Sequence, residues 1–270
     1  MRPDSSIAEF DYPLPEERIA YTPAPQRDGS RLLTYHNGRI AQHLFRNLSE
    51  LLPSDTLLVR NTTKVVPARL HFTKSTGAHI EVFCLQPIGA DMAQAMAAQG
   101  HAVWRCLIGN LKRWAPGVTL TQTAGDCTLH ATLQTKEEDA CVIALAWAPA
   151  VLTFAEVLAQ FGHLPLPPYI ERAATAEDVL RYQTVFADQA GSVAAPTAGL
   201  HFTPEVLHAL QARGVEVVDV VLHVGAGTFK PVSADTLNGH QMHAEPFEVS
   251  KAVIERLYRH EGPVVAVGTT

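Results

Sequence analysis

The pattern of apolar and polar positions divides the chain into three textures. Up to Lys64, turn-forming residues alternate with two apolar runs. Residues 44–52 read as a short helix and 56–59 as a buried strand, with Pro53-Ser54-Asp55 as the turn between them. From 65 to 149 the chain changes to short alternating or β-branched runs at 65–72, 79–85, 102–108, 118–121, 127–133 and 140–147. Gly77, Gly109-Asn110, Gly117 and Gly125-Asp126 punctuate these runs, the pattern of a small all-β sandwich or barrel. Helical signals then return. Thr153 and Glu156 form a capping box ahead of 154–161, and Gly162 sits where a C-terminal cap belongs. The proline-rich connector Leu164-Pro165-Leu166-Pro167-Pro168 leads to alternating elements: strand 192–195, helix 204–213, strand 215–223, helix 251–259 and strand 264–267.

This pattern predicts a mixed-sheet α/β domain assembled from both ends of the chain, residues 1–64 and 151–270, with a small β-barrel domain, 65–150, inserted between them. The chain stops directly after its last predicted strand, where a domain is expected to run on into a loop and helix; a truncated terminus or a shortened relative is therefore expected.

Composition narrows the picture. With 270 residues and 47% hydrophobic content the chain can bury a substantial core. The first residues contain no apolar run, and the longest apolar stretch, 140–152, is too short for a bilayer and is broken by Pro149. A soluble, cytoplasmic protein with no membrane partner is expected. Cys84, Cys106, Cys127 and Cys141 are scattered, without a C-x-x-C pair or a nearby histidine at metal-finger spacing, and read as reduced core thiols. The formal charge of -6 excludes a protein that coats nucleic acid through a basic surface, so any nucleic-acid contact must be local.

Four segments carry candidate chemistry. In 191–204, a strand runs into the small residues Pro196-Thr197-Ala198-Gly199, followed by Leu200-His201-Phe202, and Thr203 as N-cap with Pro204 opens a helix. Small residues admit a ligand close to backbone amides, and the helix start favours a carboxylate or phosphate; an ordinary tight turn is the bland alternative. In the second segment, His223-Val224-Gly225-Ala226-Gly227-Thr228-Phe229-Lys230-Pro231, a lone G-x-G follows an apolar strand. A dinucleotide or methyltransferase fingerprint fails on context, because Pro231 and Ser233 follow instead of a helix and the third glycine is missing. The third segment, Gly239-His240-Gln241-Met242-His243-Ala244-Glu245, has a metal-like spacing but no supporting ligand cluster, so no metal is predicted; a solvated loop and a catalytic role remain open. In the fourth, Arg27 to Leu33, Arg31 presents a planar fork for a phosphate or carboxylate, or else a surface ion pair forms with Asp28. Arg105, Lys112, Arg113 and Trp114 offer RNA a charge-plus-stacking surface, with an exposed loop as the alternative.

Taken in order, these strings resemble the S-adenosylmethionine:tRNA ribosyltransferase-isomerase family. The resemblance runs through Phe10-Asp11-Tyr12-Pro13-Leu14-Pro15, residues 27–33, Val66-Pro67-Ala68-Arg69-Leu70, residues 162–170, Arg181-Tyr182-Gln183-Thr184-Val185, residues 192–203 and 223–231, Met242-His243-Ala244-Glu245 and Val267-Gly268-Thr269-Thr270. It implies transfer of the ribosyl part of S-adenosylmethionine to 7-aminomethyl-7-deazaguanine at the tRNA wobble position. Rearrangement then gives epoxyqueuosine, with adenine and methionine released.

S-adenosylmethionine is consumed as a substrate, so no cofactor is expected. The resemblance implies a tRNA anticodon stem-loop as the partner, and a monomer is expected. His201, His223 and His243 are the candidate bases, since a sulfonium acidifies the adjacent ribose carbon. Arg31, Thr197, Ala198, Gly199, Phe202, Gly225, Gly227, Thr228, Phe229 and Glu245 are candidate substrate-binding residues, with Phe202, Phe229 or Tyr169 available to adenine or the sulfonium. The small-residue turn ending at His201 and the glycine turn beyond His223 are expected to converge on one pocket. One departure stands out: where the family usually has asparagine-aspartate-threonine-arginine, this chain has Asn61-Thr62-Thr63-Lys64, which loses a carboxylate and softens a guanidinium to an ammonium. A catalytically impaired RNA-binding relative is the second reading; a conventional methyltransferase is a third.

Overall fold

A computed structural model describes residues 5–167, 169, 170, 172, 174–229 and 232–268, apart from the side chains of Ala226 and Phe229. Pro168, Lys230, Pro231, Thr269 and Thr270, which figure in the sequence reading, lie outside the described residues, as does the role expected for the Phe229 ring.

After three short 3-10 turns, at Ile7–Phe10, Glu16–Arg18 and Arg27–Gly29, comes a hairpin of β1 (Arg31–His36) and β2 (Arg39–Leu44). Its two-residue turn is Asn37-Gly38, with φ of 49° and 77°, the left-handed pair that matches the twist of a tight hairpin. A 3-10 turn, Phe45–Asn47, passes into the single-turn helix α1 (Leu48–Leu51), so the apolar run 44–52 is helical from 45 to 51, with 3-10 geometry in its first part. Next come β3 (Leu57–Asn61) and β4 (Thr63–Val65). The run 65–72 is not one strand. Pro67 has no amide to give a ladder, so β4 ends at Val65 and a new strand begins at Arg69.

The central part supplies β5 (Arg69–Thr73), β6 (His79–Pro87), α2 (Met92–Ala97), β7 (His101–Gly109), β8 (Thr119–Ala124), β9 (Cys127–Lys136), β10 (Cys141–Ala148), α3 (Phe154–Phe161) and β11 (Gly162–His163). Its strands form one antiparallel sheet in the order β11-β5-β6-β7-β10-β9-β8. The sheet curls until β5 and β8 approach each other, but its edges stay at β11 and β8. Alternation drives the curl. Leu129, Ala131 and Leu133 on β9 and Cys141, Ile143 and Leu145 on β10 all point inward and are at most 2% exposed. The amphipathic helix α3, held at its start by the reciprocal Thr153–Glu156 capping box, closes this core with Phe154, Val157, Leu158 and Phe161. Phe154 lies 5.1 Å from Trp104 and 5.5 Å from Trp147, ring centre to ring centre. The four cysteines are free and buried in the same region.

After α4 (Ala176–Arg181), which the apolar pattern does not announce, come β12 (Gln189–Ser192), α5 (Pro204–Ala212), β13 (Glu216–Leu222), β14 (Phe247–Glu248), α6 (Lys251–Arg259) and β15 (Val264–Val267). A mixed sheet has the order β14-β13-β3-β15, with β13 and β15 parallel to β3 and β14 antiparallel to β13. Its central strand β3 precedes the curled sheet in sequence and the other three follow it. α5 covers this sheet through Val206 and Leu210, which pack with Leu58, Val215, Phe45 and Phe202. The strand read at 192–195 is displaced. β12 pairs with β4 only as far as Ser192, and beyond it the amides of Val193 and Ala194 both donate to the carbonyl of Val224, at 2.8 and 3.2 Å.

Truncating Phe154 to alanine is expected to cost about 3–5 kcal/mol of unfolding free energy in urea denaturation, because two tryptophan faces lose their contact together. A loss below about 1 kcal/mol would show that α3 does not complete the core.

Candidate functional site

The glycine turn is held by polar side chains, Asn61, Thr63 and Ser192, to which the sequence assigns no site role. Where β3 and β13 end side by side, Asn61 acts as an extra strand rung: its Oδ1 accepts from the amide of Leu222 at 3.0 Å and its Nδ2 donates to the carbonyl of Leu222 at 2.8 Å. The same oxygen accepts from the amide of Thr63. One step further, the fully buried Ser192 hydroxyl accepts from the amide of Val224 at 2.8 Å and donates to Thr63 Oγ1 at 3.0 Å. Residues 222–224 are therefore fixed on both sides, and the chain leaves the sheet toward Gly225 in a determined direction.

Beyond that point the turn meets the segment around Glu245. Glu245 Oε1 accepts from the amide of Gly225 at 2.8 Å and lies 3.1 Å from His243 Nε2. The side chain is only 6% exposed, and its Oε2 is buried with no hydrogen-bond partner among the described residues. The carboxylate accepts, so the imidazole donates from Nε2, and in the neutral ring the lone pair then lies on Nδ1. Gly227 lies directly beneath the His243 ring, where a Cβ would overlap it, whereas a Cβ at Gly225 would make only ordinary contact at 3.8 Å with Glu245. Close approach explains the second glycine and not the first. Thr228 is exposed.

His223 starts the turn but points inward. It is 7% exposed, its ring abuts Gly191, and its Nδ1 is buried without a partner among the described residues. Gly191 has φ 145°, and a Cβ there would crowd both His223 and Met92. Burial pushes the His223 pKa below its ordinary 6.5, with the charge of Glu248 acting in the opposite direction.

The small-residue turn lies elsewhere. Thr197–His201 forms a 3-10 turn whose Thr197, Leu200 and His201 line an open cleft of about 900 Å³, together with Tyr21, Arg27, Arg31, Tyr169, Arg172, Asp178, Arg181 and Tyr182. His201 is half-buried beside Phe45, and burial lowers its pKa, offset by a hydrogen bond involving the Arg27 backbone and reinforced by the Arg27 charge. Burial pushes the Tyr182 phenol up to about 12. Ala198 is exposed.

Several expectations need correction here. Gly199 is buried, and a Cβ there would press on Thr184 and Phe186, so this glycine serves packing. Phe202 is 2% exposed, with ring centres 5.0 Å from Phe45 and 5.9 Å from Phe186, and presents no open face to a base. Trp114 is likewise 1% exposed, donating its indole N–H to Val118, and Arg105 is paired with Glu137 and Asp139. The two turns are joined through Val193, Ala194 and Val224, but the described lining of the cleft takes in the first turn and not the second. His201 lines the cleft, while neither His223 nor His243 does.

The histidine shifts set an acid-side stability limit. A histidine whose folded-state pKa lies below its unfolded value binds fewer protons folded than unfolded, so stability is fully present above 6.5 and declines as pH falls through that value toward the folded pKa. Melting temperature should drop between pH 7 and 5, and His223→Gln should flatten the drop. An equally steep drop in that variant would contradict the assignment.

The sequence model of a family described as "Queuosine biosynthesis protein" matches residues 7–270. Among similar curated proteins, a Pelobacter propionicus relative is 42% identical over 270 residues, covering 98% of this chain and 74% of its own length. An Anaeromyxobacter relative is 44% identical over 268 residues, and one from Thermotoga maritima 40% over 269, each with the same coverages. All three are named S-adenosylmethionine:tRNA ribosyltransferase-isomerase. A solved S-adenosylmethionine tRNA ribosyltransferase from Thermotoga maritima is 29% identical, covers 96% of this chain and 68% of its own, and superposes with a TM-score of 0.38. With nearly its whole length matched, the chain belongs to the queuosine biosynthesis protein family.

Proposed function

We propose that this chain is an S-adenosylmethionine:tRNA ribosyltransferase-isomerase. It moves the ribosyl part of S-adenosylmethionine onto 7-aminomethyl-7-deazaguanine at the wobble position of a tRNA anticodon stem-loop and rearranges it to epoxyqueuosine, releasing adenine and methionine. Family membership sets the reaction class. The observation that carries the site is Glu245: a nearly buried carboxylate with one oxygen tied to the Gly225 amide and His243, and the other without a partner among the described residues. Such an oxygen is an acceptor waiting for a ligand hydroxyl or amine, because an unpaired buried carboxylate oxygen is costly.

In this reading the sulfonium nucleoside sits against the Gly225–Gly227 turn, with Gly225, Gly227 and Thr228 around it. His243 is the base. Glu245 orients the ring and holds the proton on Nε2, which leaves Nδ1 to take the proton made acidic by the sulfonium. The departing adenine needs a proton, and the protonated imidazole has one to give. His223 is too enclosed for this role, and His201 belongs to the cleft. The layout of one α/β domain from 1–64 and 151–270 with 65–150 inserted is supported by the placement of β3 inside a sheet otherwise drawn from the later segment, with the inserted part extended past 150, because α3 packs in the core of the curled sheet and β11 forms its edge. Cytoplasmic work on tRNA by a monomer agrees with this reading; no helix among the described residues is long and apolar enough to cross a membrane.

Mass spectrometry of an anticodon stem-loop carrying the deazaguanine base, incubated with S-adenosylmethionine, should show an added ribosyl mass with free adenine. An added methyl group, or bound RNA with no mass change, would sink the proposal. Glu245→Gln and Gly227→Ala should each lower kcat by about 100-fold with little change in melting temperature, the first by releasing the His243 tautomer and the second by displacing its ring.

A further inference from the structure

The 900 Å³ cleft does not end at its own wall. A second cavity of about 430 Å³ shares Leu166, Pro167, Ile170 and Arg172 with it and continues past Arg69, His71 and His163 on and beside β5. Among the described residues lining either cavity, five are arginines and one, Asp178, is a carboxylate. Arg172 already holds Asp178 in a two-pronged pair at 2.5 and 2.9 Å. The chain as a whole carries a formal charge of -6, so this concentration of cations runs against its average.

Two of the arginines are held in an unusual way. Arg27 donates to the carbonyls of Gln183 at 2.7 Å, Leu200 at 2.9 Å and Leu180 at 3.1 Å. Arg181 donates to the carbonyls of Ala24 and Pro25 at 2.6 and 3.1 Å. Carbonyls fix the planes of both guanidiniums without cancelling their charge, and each fork keeps donors in hand. Burial first, and then the charge of Arg181, lowers the Arg27 pKa, the mark of two cations set near one another. At the cleft wall Arg31 is exposed and makes no hydrogen bond or ion pair among the described residues. Tyr169, 57% exposed, offers a stacking face beside them.

We propose that the two cavities form one track for a single-stranded RNA segment, with backbone phosphates on Arg31, Arg27 and Arg181 and an unstacked base against Tyr169, the strand continuing past His163. The occupant follows from charge. S-adenosylmethionine has one carboxylate against an ammonium and a sulfonium, so a track of arginines repels it, whereas a run of phosphates satisfies several cations in series. The inference rests on the proposed function only in taking RNA as the substrate; the groove is argued from its own geometry.

The test is fluorescence anisotropy of a labelled anticodon stem-loop RNA titrated with the full chain over a range of salt. Arg31→Glu should weaken binding about tenfold and reduce the log–log salt slope by roughly 0.7, the value for one phosphate contact on a single strand. His163→Glu, at the far end, should weaken it roughly threefold. Arg213→Glu makes the same charge change as Arg31→Glu on an exposed position outside both cavities and should bind as the unaltered chain does. Binding of S-adenosylmethionine, measured by calorimetry on the same variants, should not change. RNA binding unaffected by Arg31→Glu and His163→Glu, or an unaltered chain that does not bind RNA, overturns the track. So does loss of S-adenosylmethionine binding in Arg31→Glu with RNA binding intact. Normal ribosyl transfer with unchanged RNA affinity in both variants rejects the track but keeps the reaction; salt-dependent binding along the track without release of adenine does the reverse.

Discussion

The arrangement depends on how three buried polar side chains are satisfied where β3, β12 and β13 run out. Asn61, Thr63 and Ser192 bond to one another's backbone and hydroxyl groups and to the main chain of Leu222 and Val224. Buried polar groups left unpaired are expensive, so the three strand ends have one low-energy relation in which every partner is present. That relation aims the 223–225 segment out of the sheet, brings the Gly225 amide onto Glu245, and places Val193 and Ala194 under the carbonyl of Val224. The stretch Asn61 to Lys64 lies at the heart of this. Asn61 and Thr63 hold the turn, Thr62 bonds to Val220 through its amide and hydroxyl, and Lys64 is exposed.

Electrostatics divides the surface into two kinds of place. The glycine turn presents the Glu245 carboxylate, whose Oε2 has no partner among the described residues and whose Oε1 lies against His243 Nε2. The cleft presents guanidiniums oriented by backbone carbonyls. The proposed sites for a cationic nucleoside and for a polyanion have opposite charge preferences, and the extended segment from Ser192 through the 3-10 turn at Thr197–His201 runs from one place to the other.

The curled sheet is the most self-contained part of the structure. Its strands follow one another as antiparallel neighbours through most of their length, and its core is filled by alternate side chains and closed by α3. It reaches the cleft region through β11 and β5: Arg69 and His71 on β5 and His163 on β11 edge the smaller cavity, and the ring centres of His71 and His163 are 4.5 Å apart.

What the sequence determines by itself is whatever rests on neighbours a few residues apart. The helices 154–161 and 251–259 and the strand 264–267 fall where period and capping place them, since the caps Thr153 and Ser250 bond three residues ahead. The strands of the curled sheet are legible from alternation, with ends shifted by a few residues. The family strings are also local and identify the chain. Tertiary structure alone decides what depends on distant segments meeting. Phe202 looks like a ligand-facing aromatic in sequence and is a core residue, because Phe45 arrives from the other end of the chain. Arg27 and Arg181 become a cation pair only through bonds spanning more than 150 positions, and Asn61 finds its rung 161 positions away. Of the three histidines only His201 lines the cleft, for the same reason: spacing along the chain sets which side chains share a face, but burial and hydrogen-bond satisfaction between remote strands set where that face ends up.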